Sequence, residues 1–126
     1  FVIFDNNLYF EADDGTYGKE LWRYDGTIAN IVVDIHSGSN HGLLSTDFVV
    51  FNNELYFEAS DGTSGYELWK YNGSSLILVA DIDPGSSGSG PADLVVFNND
   101  LYFSADNGVN GDELWMIDST ITISFS

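Results

Sequence analysis

The sequence predicts an all-β fold built from three tandem units, each of four short antiparallel strands. A segment that begins Leu-Tyr-Phe occurs three times, at 8–22, 55–69 and 101–115. Val, Ile, Tyr, Phe and Trp, which favour strands, fill the stretches between turn signals. No window shows the apolar periodicity of a sustained helix. These observations together favour a repeat protein made only of strands.

The repeat boundaries follow from the first strand of each unit. The segment 1–4 recurs at 48–51 and, in altered form, at 94–97, so the offsets are 47 and 46 residues. We therefore divide the single domain, 1–126, into repeats 1–47, 48–93 and 94–126. A period near this length is typical of β-propeller blades.

The second repeat shows the predicted strands most clearly. We expect its first strand at 48–51, followed by a tight turn through Asn52-Asn53-Glu54, because Asn tolerates the backbone angles that such turns need. The second strand is predicted at 55–59. The Asp-Gly-Thr-x-Gly segment that starts at Asp61 then forms a loop, since its glycines adopt angles that other residues avoid.

The second half of the repeat adds two strands and a long connection. The third strand is predicted at 67–71, and Asn72-Gly73 is a strong hairpin signal before the fourth strand at 76–82. A long segment, 81–91, follows and contains both prolines of the chain, where no ladder hydrogen bond is lost.

Three short connections and one long one predict a propeller-like blade, with a β-trefoil as the alternative. A closed propeller needs about four blades or more. Three blades would leave exposed β-edges that can pair with other chains. We therefore expect a homo-oligomer or a filament joined through those edges.

Composition excludes several classes of function. The chain of 126 residues has 20 acidic and 3 basic side chains, for a net charge of -17. Such a charge repels nucleic acid and anionic membranes. There is no cysteine, and no apolar run approaches the ~20 residues of a membrane span. No nucleophile elbow or phosphate-binding loop is present, so we do not expect an enzyme. Because the chain opens at Phe1 in a strand pattern, we expect a processed protein or part of a longer one.

One tryptophan recurs at the same place in every repeat, as Trp22, Trp69 and Trp115. We expect these side chains to pack between adjacent units, because large aromatic residues dominate core burial. Stacking against a sugar ligand is the alternative interpretation.

Four aspartates are candidate calcium ligands. Asp14 and Asp61 lie in the recurring Gly-rich loop, and Asp81 and Asp83 precede Pro84 in the long connection. Carboxylates are the hard oxygen ligands that calcium prefers. The spacing is not that of an EF-hand, and the alternative is that the loop aspartates bond the turn's own amides.

Two further polar sets are weaker candidates. A glutamate precedes each Leu-Trp, as Glu20, Glu67 and Glu113, and we expect it to hydrogen-bond the preceding Gly-rich loop. His36 and His41 occur only in the first repeat, with Asp34 nearby, and two histidines and an aspartate could bind zinc.

The recurring motifs resemble the bacterial ELWxxDGT repeat family. Glu-Leu-Trp is followed by Tyr-Asp-Gly-Thr at 24–27 and by Tyr-Asn-Gly-Ser at 71–74, and the Asp-Ile-x-Pro-Gly connection lies at 81–85. The third repeat departs from this pattern, since Met116-Ile117-Asp118 follows its tryptophan. The resemblance implies a secreted or surface-attached protein of tandem β-repeats without catalytic residues.

Together these observations predict a non-enzymatic extracellular module that acts in assembly or adhesion. The alternative is a propeller module that binds carbohydrate or protein and contains structural calcium.

Overall fold

The computed structural model describes residues 1–43, 47–85, 87–120 and 123–125, which form twelve strands in three sheets. The first sheet comprises β1 (Val2–Phe4), β2 (Asn7–Asp13), β3 (Lys19–Tyr24) and β4 (Ala29–Val33). The second comprises β5 (Val49–Phe51), β6 (Glu54–Ala59), β7 (Glu67–Tyr71) and β8 (Leu76–Ala80). The third comprises β9 (Ala92–Phe97), β10 (Asp100–Asp106), β11 (Asp112–Ile117) and β12 (Ile123–Phe125).

Each sheet is an antiparallel meander in which consecutive strands are neighbours. The prediction of an all-β fold with three four-stranded antiparallel units is confirmed. Within the described ranges there is no helix, and none of the sheets is closed on itself. It follows that these residues contain no helix long and apolar enough to cross a membrane.

The strand bounds differ from the predicted ones mainly at the long connection. β7 coincides with the predicted segment 67–71, whereas β8 ends at Ala80, two residues early. β9 begins at Ala92, two residues before the predicted repeat boundary. Its pairing with β10 shifts register near Ser104, and Asp93 has a positive φ of 57°. Such an irregularity is typical of a β-bulge, which a strand prediction cannot place.

The first hairpin of each sheet closes through a two-residue turn. Phe51 pairs with Glu54, so Asn52 and Asn53 form the loop, with φ values of 51° and 59°. Two consecutive positive φ angles are those of a type I′ turn, which matches the twist of the flanking strands. Asparagine tolerates this left-handed region better than most residues.

The three sheets pack face to face, with the second in the middle. Because side chains alternate along a strand, Leu55 and Phe57 lie on one face of the second sheet and Tyr56 on the other. The first face packs on the first sheet, and Tyr56 packs on the third. The first strands β5 and β9 of adjacent sheets are in contact. The hydrophobic core is therefore two layers, one on each side of the second sheet.

Candidate interaction surfaces

Every sheet presents two chemically different faces, and each internal layer joins one face of each kind. We call them the leading face and the trailing face. In the first sheet, the leading face comprises Leu8, Phe10, Ala12, Trp22 and Tyr24. In the third sheet, the trailing face comprises Val95, Phe97, Tyr102, Leu114 and Met116.

The layer between the first two sheets joins a trailing face to a leading face. Phe4, Tyr9 and Leu21 of the first sheet belong to the same buried cluster as the leading face of the second. That face consists of Leu55, Phe57, Ala59, Trp69 and Tyr71. The Tyr9 and Tyr71 rings lie 6.0 Å apart in a tilted arrangement, which is a favourable geometry for an aromatic pair.

The layer between the second and third sheets repeats this arrangement. Phe51, Tyr56 and Leu68 of the second sheet, equivalent to the three residues above, form its trailing side. The leading side consists of Leu101, Phe103, Ala105 and Ile117, with Trp115 packed against them. The same two surfaces therefore meet twice within one chain, in the same order.

The trailing face of the third sheet lies at one end of this stack and is exposed. Phe97 is 60% exposed, whereas the equivalent Phe51 is 4% exposed. Leu114 is 52% exposed, whereas Leu68 is fully buried. Identical or similar side chains are thus buried inside the stack and exposed at its end.

The leading face of the first sheet shows the same contrast at the opposite end. Tyr24 is 40% exposed, and the equivalent Tyr71 is buried. Phe1 packs on Phe10 with ring centroids 5.8 Å apart, much as Phe48 packs on Phe57. The aromatic pair that this face forms inside the stack is therefore also formed where the face is exposed.

The exposed trailing face has no lysine like that of its buried counterpart, and its charged side chains are the acidic Asp100, Asp106 and Asp112. In the second sheet, Lys70 donates a hydrogen bond to Glu54 at 3.1 Å on this face. Met116 stands in the third sheet where Lys70 stands in the second. Ser104 likewise replaces Glu58, whose pKa is raised by burial and, secondarily, by the negative charge of Asp47.

The three tryptophans occupy the leading face of their sheets. Trp69 is buried between the first and second sheets, and Trp115 packs against the layer between the second and third. Trp115 also donates its Nε1–H to the backbone oxygen of Ala105 at 3.2 Å. Trp22 lies on the end face and is half-buried.

The loop aspartates bond their own turns. Asp14 Oδ1 accepts hydrogen bonds from the amides of Thr16 and Tyr17, and Asp61 Oδ1 accepts one from Thr63. Asp83 lies against Gly108 of the third sheet, apart from these turns. In the described part of the chain, no three acidic or histidine side chains are grouped as metal ligands. Calcium at Asp14, Asp61, Asp81 or Asp83 stays a prediction.

Two buried glutamates organise the long connections. Glu20 accepts hydrogen bonds from the amides of Ile35, His36 and Gly42, at 2.9, 3.4 and 3.1 Å. Burial raises the pKa of Glu20 to about 7 despite these donors, with a smaller contribution from the charge of Asp34. Glu20 thus bonds the long connection that follows its sheet. The prediction that it bonds the preceding Gly-rich loop was wrong.

The second sheet repeats this contact with a different donor set. Glu67 accepts hydrogen bonds from the amides of Ile82 and Asp83 and from the hydroxyl of Ser89. Burial likewise raises the pKa of Glu67. Glu113, at the equivalent position of the third sheet, is only half-buried.

The histidines of the first repeat also lie at the long connection. His41 Nδ1 accepts a hydrogen bond from the Lys19 amide at 2.9 Å, and the His36 ring lies against Gly62 of the second sheet. These contacts explain both side chains as parts of the connection between two sheets. The sequence could not indicate them, because they join residues that are distant along the chain.

Two open cavities lie between first strands of adjacent sheets. One, of about 390 Å³, is lined by Val50, Asn52, Val96 and Asn99 among others. The other, of about 300 Å³, is lined by residues that include Ile3 and Asn53. The two cavities use largely equivalent positions, so they recur with the repeat.

Comparison with known proteins does not assign the chain to a family. No family model matches the chain, and neither a curated protein nor a solved structure matches it. The resemblance to ELWxxDGT repeats stays a prediction that depends on the motifs.

Proposed function

We propose that this protein is a non-enzymatic β-repeat module that assembles through its leading and trailing faces. One observation carries the proposal. Phe97 and Leu114 at one end and Tyr24 at the other are exposed at positions whose equivalents are buried in both internal layers. Surfaces that already fit each other within the chain are suited to fit each other between chains.

The arrangement of sheets favours propeller-like blades. Each repeat supplies all four strands of one meander, and the first strands of the second and third sheets, β5 and β9, are in contact. A long connection then leads from the last strand of one sheet to the first strand of the next, as between blades. A β-trefoil would instead join strands of different repeats, and the described strands pair only within repeats.

The chemistry of the end faces supports assembly over a solitary stack. Repeat proteins that end in solvent have terminal repeats with a polar outer face. Here the outermost trailing face exposes Phe97 and Leu114, at 60% and 52%, and has Met116 in place of Lys70, so it is not a polar cap. An exposed apolar patch of this kind marks an interaction site.

The setting we propose is extracellular or at a cell surface, with a role in a scaffold or in adhesion. The motif resemblance supports this setting. The net charge of -17 also suits a medium in which cations screen self-repulsion, and it disfavours nucleic acid as a partner.

Molar mass in solution tests the assembly. Size-exclusion chromatography with light scattering is run over a series of protein concentrations. We expect species larger than one chain, and Phe97→Glu, which places a charge on the trailing face, should reduce them. Val109→Glu is the matched control, because Val109 is 84% exposed in a loop outside both faces. A single-chain mass at every concentration would overturn the proposal.

The second candidate is a binding module for carbohydrate or protein. The recurring cavities favour it, because each combines aliphatic side chains with asparagine amides. Asn99→Ala, measured against a glycan panel, should reduce binding if this cavity takes a sugar. Unchanged binding in the variant would mean that this cavity is not the sugar-binding site.

A further inference from the structure

We infer that two copies of this chain close head to tail into one ring of six sheets, with the leading face of each copy on the trailing face of the other. The inference rests on the proposed assembly function and adds the partner, the polarity and the number of copies.

The polarity follows from the two internal layers. In both, a trailing face with a Phe, a Tyr and a Leu meets a leading face with a Leu, a Phe and an Ala. Neither layer joins two faces of the same kind. A contact between copies that continues this pattern is therefore head to tail, since each copy contributes a different surface to it.

The number of copies follows from ring closure. Each chain supplies three sheets. Closed propellers have roughly four to eight blades, and within that range six is the only multiple of three. Two copies supply six sheets and are related by a two-fold axis that passes through the centre of the ring. Every leading face and every trailing face is then covered, so growth stops at two.

The aromatic packing indicates which contacts the ring would form. Inside the chain, Tyr9 packs on Tyr71 across the first layer. At the contact between copies, Tyr102 occupies the position of Tyr9, and Tyr24 occupies that of Tyr71. Phe97 would enter the environment in which Phe4 and Phe51 are buried.

Charge opposes this association and gives it a characteristic salt dependence. Each copy has a net charge of -17, so two copies repel each other at long range. The side chains that would be buried, such as Phe97, Leu114 and Tyr24, are apolar or aromatic, so salt weakens the repulsion without weakening their contact. We expect the dimer dissociation constant to fall by about tenfold or more from about 0.01 M to about 0.15 M salt.

The first experiment measures the mass of the wild-type protein by sedimentation velocity at increasing concentration. A closed ring predicts a single step from one chain to two, with no larger species. A mass that continues to grow would overturn the closed ring but keep assembly through the faces. A mass that stays at one chain would overturn both the ring and the proposed function.

The second experiment tests polarity by mixing two blocked variants. Tyr24→Glu blocks the leading face, and Phe97→Glu blocks the trailing face. Each variant alone should be a single chain, because every contact in the ring needs one face of each kind. Their mixture should form a one-to-one complex through the one remaining contact, and Val109→Glu should still form the full dimer.

A pairing of like faces gives a different result. If two trailing faces paired, Tyr24→Glu alone would still form a dimer, and the mixture would gain nothing. That result would overturn the head-to-tail arrangement. Circular dichroism of each variant confirms that a loss of mass reflects the face and not unfolding, since both residues are at least 40% exposed.

Discussion

The Glu20 carboxylate accepts a hydrogen bond from the Gly42 amide at 3.1 Å, although 22 residues separate them. The oxygen of Gly42 in turn accepts a hydrogen bond from the Ser60 amide of the second sheet at 2.9 Å. In the next repeat, Ser89 donates to Glu67, and its backbone oxygen accepts from Asp106 of the third sheet. A buried carboxylate in one sheet thus holds the connection that bonds the next sheet.

Ser89→Ala should destabilise the protein. The substitution removes a hydroxyl donor to a buried carboxylate, and hydrogen bonds to charged groups contribute roughly 1.5–3 kcal/mol. We expect the free energy of unfolding to fall by about 2 kcal/mol in urea denaturation. Ser74→Ala, at an exposed turn position, is the matched control and should change little. Equal stability of the two variants would mean that Glu67 does not depend on this donor.

Acidification should stabilise the protein through Glu20. Its pKa is raised from 4.5 to about 7 by burial, so the folded state binds a proton more tightly than the unfolded state. The stabilisation is fully present below pH 4.5 and is lost as the pH rises through about 7. We expect the melting temperature to rise as the pH is lowered from about 8 to about 5.

Glu20→Gln separates this effect from the general acidic charge. Loss of net negative charge at low pH would also stabilise the protein, and the variant retains that contribution. The variant should therefore show a shallower rise of melting temperature with acidification. Identical slopes for the wild type and the variant would contradict the role of Glu20.

Sequence reasoning predicted the repeats and most strands because it depends on local signals. The segment 67–71 alternates and is bounded by turn residues, so β7 could be placed correctly. The turn at Asn52 and Asn53 could be placed for the same reason. β9 could not, because a bulge near Ser104 extends it backwards to Ala92, and bulges depend on the partner strand.

The contacts between sheets were outside the reach of the sequence. Glu20 was expected to bond the preceding loop, but it bonds the connection that follows, since only the folded path of that segment brings Gly42 near. The sequence likewise pointed to β-edges as assembly surfaces. The structure instead indicates the sheet faces as assembly surfaces, because only the packing shows that Phe51 is buried while the equivalent Phe97 is exposed.

Two glycines of one loop should respond very differently to substitution by alanine. Gly15 and Gly18 both have positive φ, at 85° and 75°. A Cβ at Gly15 would meet nothing within 4 Å, whereas one at Gly18 would clash with the backbone oxygen of Asn40. We expect Gly15→Ala to cost about 1–2 kcal/mol from backbone strain alone. Gly18→Ala should cost clearly more in the same urea denaturation experiment, and equal costs would contradict the tight contact of this loop with the long connection.

The calcium hypothesis predicts a metal-dependent melting temperature. A ligand that binds only the folded state stabilises it, so EDTA should lower the melting temperature and added calcium should restore it. Asp83→Asn should then weaken the response more than Asn110→Ala, which leaves the four candidate carboxylates in place. A melting temperature that is the same with EDTA and with calcium would remove the hypothesis.

Tyr56→Phe should leave the protein as stable as the wild type or make it more stable. The Tyr56 side chain is fully buried between the second and third sheets, and its hydroxyl makes no hydrogen bond within the described part of the chain. Burial, and secondarily the charge of Glu54, raises the pKa of this hydroxyl to about 12. Removing a buried polar group without a partner relieves a desolvation cost of about 1 kcal/mol or more. Phenylalanine would keep the ring, whose centroid lies 5.6 Å from that of Phe51.

Tyr66→Phe is the matched comparison. The Tyr66 hydroxyl donates a hydrogen bond to the backbone oxygen of His41 at 2.9 Å, in the connection between the first and second sheets. Its loss should lower the free energy of unfolding by about 1 kcal/mol. The two substitutions remove the same atom, so an opposite or unequal effect in urea denaturation isolates the hydrogen bond. If Tyr56→Phe proved the more destabilising of the two, the Tyr56 hydroxyl would have to be bonded in solution, and the layer between the second and third sheets would contain a polar contact.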